Sequence, residues 1–312
     1  MNWMDRRKDI LERMERFMGP LKTQWDGLPV ETETLSEEKI GNVIRKHIRY
    51  QDQPGSVIWA YLMIPEEISG KVPGMICLHQ TTGCGSREPA GLEGKENLYY
   101  ALELAQRGMV TLAPDLPSFG EMKDVHPLPE GYVSGTMKDI TIHRRGLDLL
   151  TQLPQVDSDR LGSIGHSLGG HNTLFLAAFE PRIKVAATSC GFTTWKAYAK
   201  SFGSLAAWAQ DRYMPLVRDV YQNNPDKMSV KFEEILEAIL PRAMYVNAPK
   251  SDSNFDQEGV KECMKYIRHV AAKQNMTLNL LVEQPDCGHD FPKEQRENCY
   301  VFIENMLSAK RG

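Results

Sequence analysis

The spacing of apolar positions changes period several times along this chain, and each change marks a different kind of element. Ile10, Leu11, Met14, Phe17 and Met18 recur at helical spacing within residues 5–18, and Gly19-Pro20 ends the run. An N-terminal helix packed on the outside of the main body is expected. Two β-like stretches follow at 43–50 and 57–64 with a Pro54-Gly55 turn between them, and together they read as a hairpin. Beyond residue 70, short apolar runs at 74–78, 109–113, 160–164, 185–188, 244–247 and 278–282 alternate with helical stretches at 92–106, 136–153, 168–179, 259–273 and 294–307. Near-continuous apolar strands alternating with helices predict a parallel sheet covered on both faces. Residues 192–240 break the alternation with a long helical insertion carrying Trp195, Tyr198, Phe202, Trp208, Tyr213 and Tyr221. This segment is expected to form a cap over the C-terminal edge of the sheet. The chain thus divides into an N-terminal helical extension over 1–40 and one α/β domain over 41–312, with no internal repeats.

Composition narrows the function classes. With 312 residues, 41% hydrophobic and 25% charged, there is ample chain for a core and a cleft. A net charge of −4 gives no basic excess, so neither nucleic acid nor an anionic membrane is an expected partner. The N-terminus is charged throughout and lacks the apolar core of a secretory signal. The longest uncharged run, 161–179, holds four glycines and two histidines, which disqualifies it as a membrane span. The six cysteines are scattered without a C-x-x-C pair and read as reduced thiols in a cytoplasmic protein.

The chemistry concentrates in Gly165-His166-Ser167-Leu168-Gly169, a G-x-S-x-G pattern. It follows an apolar strand and opens directly into an apolar helix, the strand–turn–helix context that the pattern needs. Glycines at 165 and 169 are expected because side chains there would collide in so tight a turn, leaving Ser167 Oγ exposed. A serine hydroxyl needs a base within hydrogen-bond reach. His289 is the one histidine of eight that falls in the loop between the last strand and the last helix. A carboxylate should orient that base. The loop after strand 244–247 offers Asp252 and Asp256; Asp252 is preferred as nearer the strand end, Asp256 as a helix cap, and Glu283 is the outside candidate.

The oxyanion of an acyl-transfer intermediate needs preorganised donors. The N–H of Leu168, at a helix start, is one. The loop His79-Gln80-Thr81-Thr82-Gly83-Cys84-Gly85 should supply the other, from Thr81 or next from Gln80. That loop contains a G-x-G, but Glu88 stands where a dinucleotide fingerprint needs its third glycine, so no cofactor is expected. His166 and His171 straddle the elbow rather than one helix face, and no metal motif is present, so no metal is expected. His143 with Arg144-Arg145 reads as a solvated or packing group, Asp115 as a loop stabiliser, and Arg87 as a surface arginine.

These motifs together resemble the α/β-hydrolase superfamily, from about residue 40 onward. They include the order Ser167, Asp252, His289, the His79-Gln80 loop and Ala113-Pro-Asp-Leu-Pro-Ser-Phe-Gly120. Within it the likeness is to the dienelactone hydrolase and acetyl xylan esterase branch. The resemblance implies an α/β-hydrolase fold with an eight-stranded, mostly parallel sheet, and ester or lactone hydrolysis through an acyl-enzyme on a small-molecule ester. Two departures stand out. Dienelactone hydrolases carry cysteine where this chain has Ser167, and many relatives have His-Gly where it has His79-Gln80. Rival expectations are an amidase or peptidase, a C–C bond hydrolase with the same triad, or a non-catalytic ligand-binding homologue; a homo-oligomer is compatible with all of them.

Overall fold

A computed structural model describes residues 3–128 and 131–308. Its centre is one nine-stranded sheet in the order β1-β2-β3-β5-β4-β6-β7-β8-β9. The strands are β1 (Thr32–Ile40), β2 (Val43–Tyr50), β3 (Ile58–Pro65), β4 (Val72–Leu78), β5 (Val110–Pro114), β6 (Val156–His166), β7 (Ile183–Ser189), β8 (Ala243–Asn247) and β9 (Leu280–Glu283). The β1–β2–β3–β5 pairings are antiparallel, and the six strands from β5 to β9 run parallel. The sheet therefore has one strand more than the expected eight. The additional strand is β1, whose residues are exposed along almost its whole length. With no buried face, it has no alternation of apolar and polar positions from which to read it.

The helices are α1 (Trp3–Met18), α2 (Tyr100–Gln106), α3 (Gly135–Gln152), α4 (Leu168–Phe179), α5 (Trp195–Phe202), α6 (Leu216–Asp219), α7 (Phe232–Glu237), α8 (Gln257–Lys273) and α9 (Lys293–Met306). One core cluster packs residues of α1, α3, α4, α7 and α8 against one side of the sheet. A second joins α2 and α9 to the other side. The helix expected over 92–106 starts only at Tyr100. Gly94 has φ +87 and packs tightly on the Glu88 side chain, so residues before 100 form turns around that carboxylate instead.

The segment between β7 and β8 holds α5, α6 and α7 with short 3-10 turns between them, rather than long helices. Helix α1 docks on it and on α4: Arg6 Nη2 donates to Glu234 Oε1 at 2.6 Å, and Arg7 donates to the carbonyls of Ala238 and, at the end of α4, Ala178. Ile10, Met14, Phe17 and Met18 are wholly buried beneath.

Candidate active site

The functional side chains are carried by loops at the C-terminal ends of the parallel strands, where an open α/β sheet leaves a crevice. Strand β6 runs through Gly165 and His166, and α4 begins at Leu168, so Ser167 alone makes the turn. Its backbone stands at φ +54, ψ −118, and its N–H donates to Ser189 O at 2.8 Å. A non-glycine residue there is strained, at a cost of about 1–3 kcal/mol that the surrounding structure must offset. A Cβ on Gly165 would collide with the backbone of Gly169, as the sequence predicts. Gly169 is needed for a different reason. A Cβ there would drive into the Leu78 carbonyl oxygen at the end of β4, so helix α4 and the loop after β4 meet backbone to backbone.

His289, after β9, and Asp252, after β8, are brought together: His289 Nδ1 lies 2.9 Å from Asp252 Oδ1. That oxygen also accepts from the N–H groups of Asn254 and Phe255, at 2.8 and 3.1 Å. The carboxylate is buried at 1% exposure. Asp256 does not approach the histidine but caps α8, accepting from Glu258 N at 2.8 Å. Glu283 is bound to the Tyr245 hydroxyl and to Asn298. The His289 ring lies 4.8 Å from the ring of His166, the residue before Ser167, and 6.0 Å from Phe255. Among the described residues no hydrogen bond joins His289 to Ser167 Oγ.

The loop after β4 is anchored from three sides. His79 is fully buried, which lowers its pKa and keeps the ring neutral, and Nδ1–H donates to Gln80 O at 2.7 Å. The Gln80 amide donates to both oxygens of Glu88, at 3.0 Å each. Asp115, after β5, accepts from Ser86 N at 2.6 Å and Glu121 N at 2.9 Å, the loop-stabilising position expected of it. Burial raises the Glu88 pKa, opposed by the Lys95 N–H and the Gln80 amide. Arg87 pairs with Glu93 at 3.0 Å on the surface and does not enter the site.

A cavity of about 200 Å³ opens over Ser167, lined by Thr81, Leu168, Tyr198, Phe202, Trp208, Gln210, Tyr213, Asn254 and Phe255 among others. The insertion supplies its aromatic wall. Trp208 stacks on His171 of α4 at 4.2 Å, and the Tyr213 hydroxyl is 3.0 Å from Thr81 Oγ1. The aromatics thus divide. Trp195 packs, with its Nε1 donating to Val230 O at 3.0 Å, while Tyr198, Trp208 and Tyr213 face the cavity. Phe255 gains its place from tertiary packing, which residue spacing alone does not single out. His143 and His171 are wholly buried, and desolvation lowers each to about 3, so both are neutral packing groups. Of the metal-ligating types, His166, Cys190 and His289 come together at the sheet edge.

Residues 134–306, which carry Ser167, Asp252 and His289, match the prolyl oligopeptidase family. The chain belongs to that family. A further match, 32% identical over 135 residues, is the 2,6-dihydropseudooxynicotine hydrolase of Paenarthrobacter nicotinovorans. It covers 43% of this chain but only 32% of that relative, so the alignment spans about a third of the latter's length. YtaP of Bacillus subtilis (strain 168), named provisionally as a hydrolase, is 28% identical over 97% of this chain and 99% of its own. In fold, the glucuronoyl esterase of Solibacter usitatus superposes with a TM-score of 0.72 at 15% identity, covering 97% of this chain and 92% of that one. Acetyl xylan esterases are also among the solved structures of similar fold. Identities so low carry the fold alone, and that fold is the α/β-hydrolase fold. Among the described residues of this prolyl oligopeptidase family member, no helix is long and apolar enough to cross a membrane.

Proposed function

We propose that this prolyl oligopeptidase family chain hydrolyses small, uncharged carboxylic esters through an acyl-enzyme on Ser167. The observation that carries the reading is the strained serine at φ +54, placed under an aromatic cavity beside a histidine held by a buried carboxylate. Ser167 Oγ attacks the ester carbonyl while His289 accepts its proton, and Asp252 holds the ring and stabilises the imidazolium. The Ser167–His289 hydrogen bond closes when substrate fills the cavity, as such bonds tighten in the Michaelis complex. His289 then protonates the leaving alcohol and activates the water that releases the acid.

The oxyanion faces the N–H of Leu168, which has no intrahelical partner at the start of α4. Peptide planarity favours Thr81 over Gln80 as the second donor. The Gln80 carbonyl is held toward the buried His79 ring, and in a trans peptide the Thr81 N–H then points the opposite way, toward the cavity that Thr81 lines. No charged side chain is among the cavity's lining residues, which favours a neutral substrate.

Hydrolysis of p-nitrophenyl esters from acetate to decanoate, by wild type and Ser167→Ala in parallel, tests this. Short-chain activity that is lost in the variant, with fluorophosphonate labelling of Ser167, supports the reading. The family name favours one rival, amide cleavage by the same groups. Turnover of p-nitroanilides in preference to esters would put that rival first, and absence of both turnover and labelling would leave a binding protein.

A further inference from the structure

One cluster joins metal-ligating groups that no step of the reaction uses together. His166, Cys190 and His289 each present one coordinating atom, and the three atoms lie within 4.8 Å of one another. His166 Nε2 is buried without a hydrogen-bond partner among the described residues. Its Nδ1 lies 2.9 Å from Ser189 Oγ, which also accepts from Asn247 Nδ2 at 2.9 Å. Ser189 directs its own proton at Cys190 Sγ, 3.8 Å away. This network assigns the His166 proton to Nδ1 and leaves Nε2 a bare lone pair. A neutral imidazole fixed through one nitrogen and unpartnered at the other is in the form that ligates metals. Cys190 lies at 2% exposure against this ring and that of His289.

We infer that His166, Cys190 and His289 form an inhibitory site for zinc(II) or a cation of like softness. The inhibition rests on the proposed role of His289; the binding does not. Two imidazoles and a thiolate are a donor set that Zn²⁺ favours, with the fourth tetrahedral position left to water. Zinc bond lengths place such donors roughly 3.4–3.6 Å apart, so the loops after β7 and β9 draw together by about 1 Å on binding. The Cys190 thiol, which otherwise donates to the Asp290 carbonyl at 3.4 Å, gives that proton to solvent as the Zn–S bond forms. Either His289 nitrogen serves hydrolysis, Nδ1 through Asp252 and Nε2 as proton acceptor, so a metal on the ring removes the base. His289 opens on a surface depression lined also by Lys95, Glu96, Asn97 and Asp290, so its ring can be reached from solvent.

The test titrates chelator-treated protein with Co²⁺ and follows the thiolate-to-cobalt charge-transfer band. The band should saturate at one equivalent in wild type and in Ser167→Ala, be displaced by Zn²⁺, and be absent in Cys190→Ser. Micromolar Zn²⁺ should inhibit wild-type ester hydrolysis, with recovery on adding EDTA. Cys190→Ser and His166→Asn should each need at least 10-fold more zinc for half-inhibition, each measured against its own zinc-free rate, and Cys190→Ser should lose the cobalt band whatever that rate is. Absence of the band, or an equal band in Cys190→Ser, overturns the site. A band that forms in a protein inactive on every ester leaves the site standing and refutes the ester-hydrolase reading instead.

Discussion

Asp139 on α3 is a carboxyl without an ionic partner in hydrogen-bond reach, and it gives stability a pH-dependent contribution that a single substitution isolates. It is 4% exposed, and Asn172 Nδ2 on α4 donates to its Oδ2 at 3.1 Å. Burial pushes its pKa up to about 8 from 3.8, outweighing the Asn172 hydrogen bond and the charge of Lys138, which already pairs with Asp52 at 2.5 Å. Asn172 Oδ1 is buried and otherwise unpartnered, so a protonated Asp139 supplies the O–H that it lacks. A carboxyl raised in the folded state favours folding below its unfolded pKa and loses that contribution as pH rises toward the folded value. Between pH 5 and 7 the unfolded chain has ionised this residue and the folded chain has not. Wild-type stability should then fall by about 1.4 kcal/mol per pH unit from this group, or roughly 3 kcal/mol over the interval. Asp139→Asn cannot ionise and keeps an amide pair with Asn172. Urea unfolding of both proteins at pH 5, 6, 7 and 8 should show the variant's relative stability rising by that amount between pH 5 and 7 and by less from pH 7 to 8. Parallel curves, with a difference constant to about 0.5 kcal/mol, would show a hydrated or charged carboxylate and refute the argument.

Four further outcomes follow from the site. Asp252→Asn should lower kcat by roughly 10³–10⁴-fold with the fold retained, read by ester turnover and circular dichroism; a loss under about 10-fold removes Asp252 from its role. Gly169→Ala should force the Leu78 carbonyl away from α4 and lower kcat by roughly 10²-fold or more, while unfolding experiments still show a cooperative domain. Asp115→Asn turns an N–H₂ toward one of two backbone donors, and should cost about 1–3 kcal/mol in urea unfolding together with a drop in kcat. Tyr213→Phe removes the bond to Thr81 Oγ1 and should raise KM several-fold, with chain-length preference among esters altered.

What the sequence made legible follows from how local each signal is. The elbow around Ser167 is complete within five residues, so its strand, turn and helix could all be read from it. Chain order placed Asp252 and His289, and the structure brings their side chains together. Strand β1 was hidden because no face of it is buried. Residues 92–99 carry a helical apolar pattern, yet the Glu88 carboxylate organises them as turns, a tertiary demand that the local spacing does not express. The cavity's aromatic wall was visible as composition, but which rings pack and which line the opening depends on folds between α5 and α7. Cys190 joins His166 and His289 from three different strand ends, a grouping that only the sheet order creates.

The backbone contact between Gly169 and the Leu78 carbonyl has a consequence for how this catalytic centre can diversify. Where two segments meet through side chains, their spacing can drift by substitution; where they meet as bare backbone, no substitution other than loss of glycine can move them. The distance between the Ser167 helix and the loop after β4, which holds the proposed second oxyanion donor, is thus a fixed dimension of the scaffold. Adaptation to a new substrate must be accommodated in Tyr198, Trp208, Tyr213 and their neighbours, on a segment whose two ends both return to the sheet. Chemistry and selectivity are inherited separately here, the first as geometry and the second as a replaceable wall.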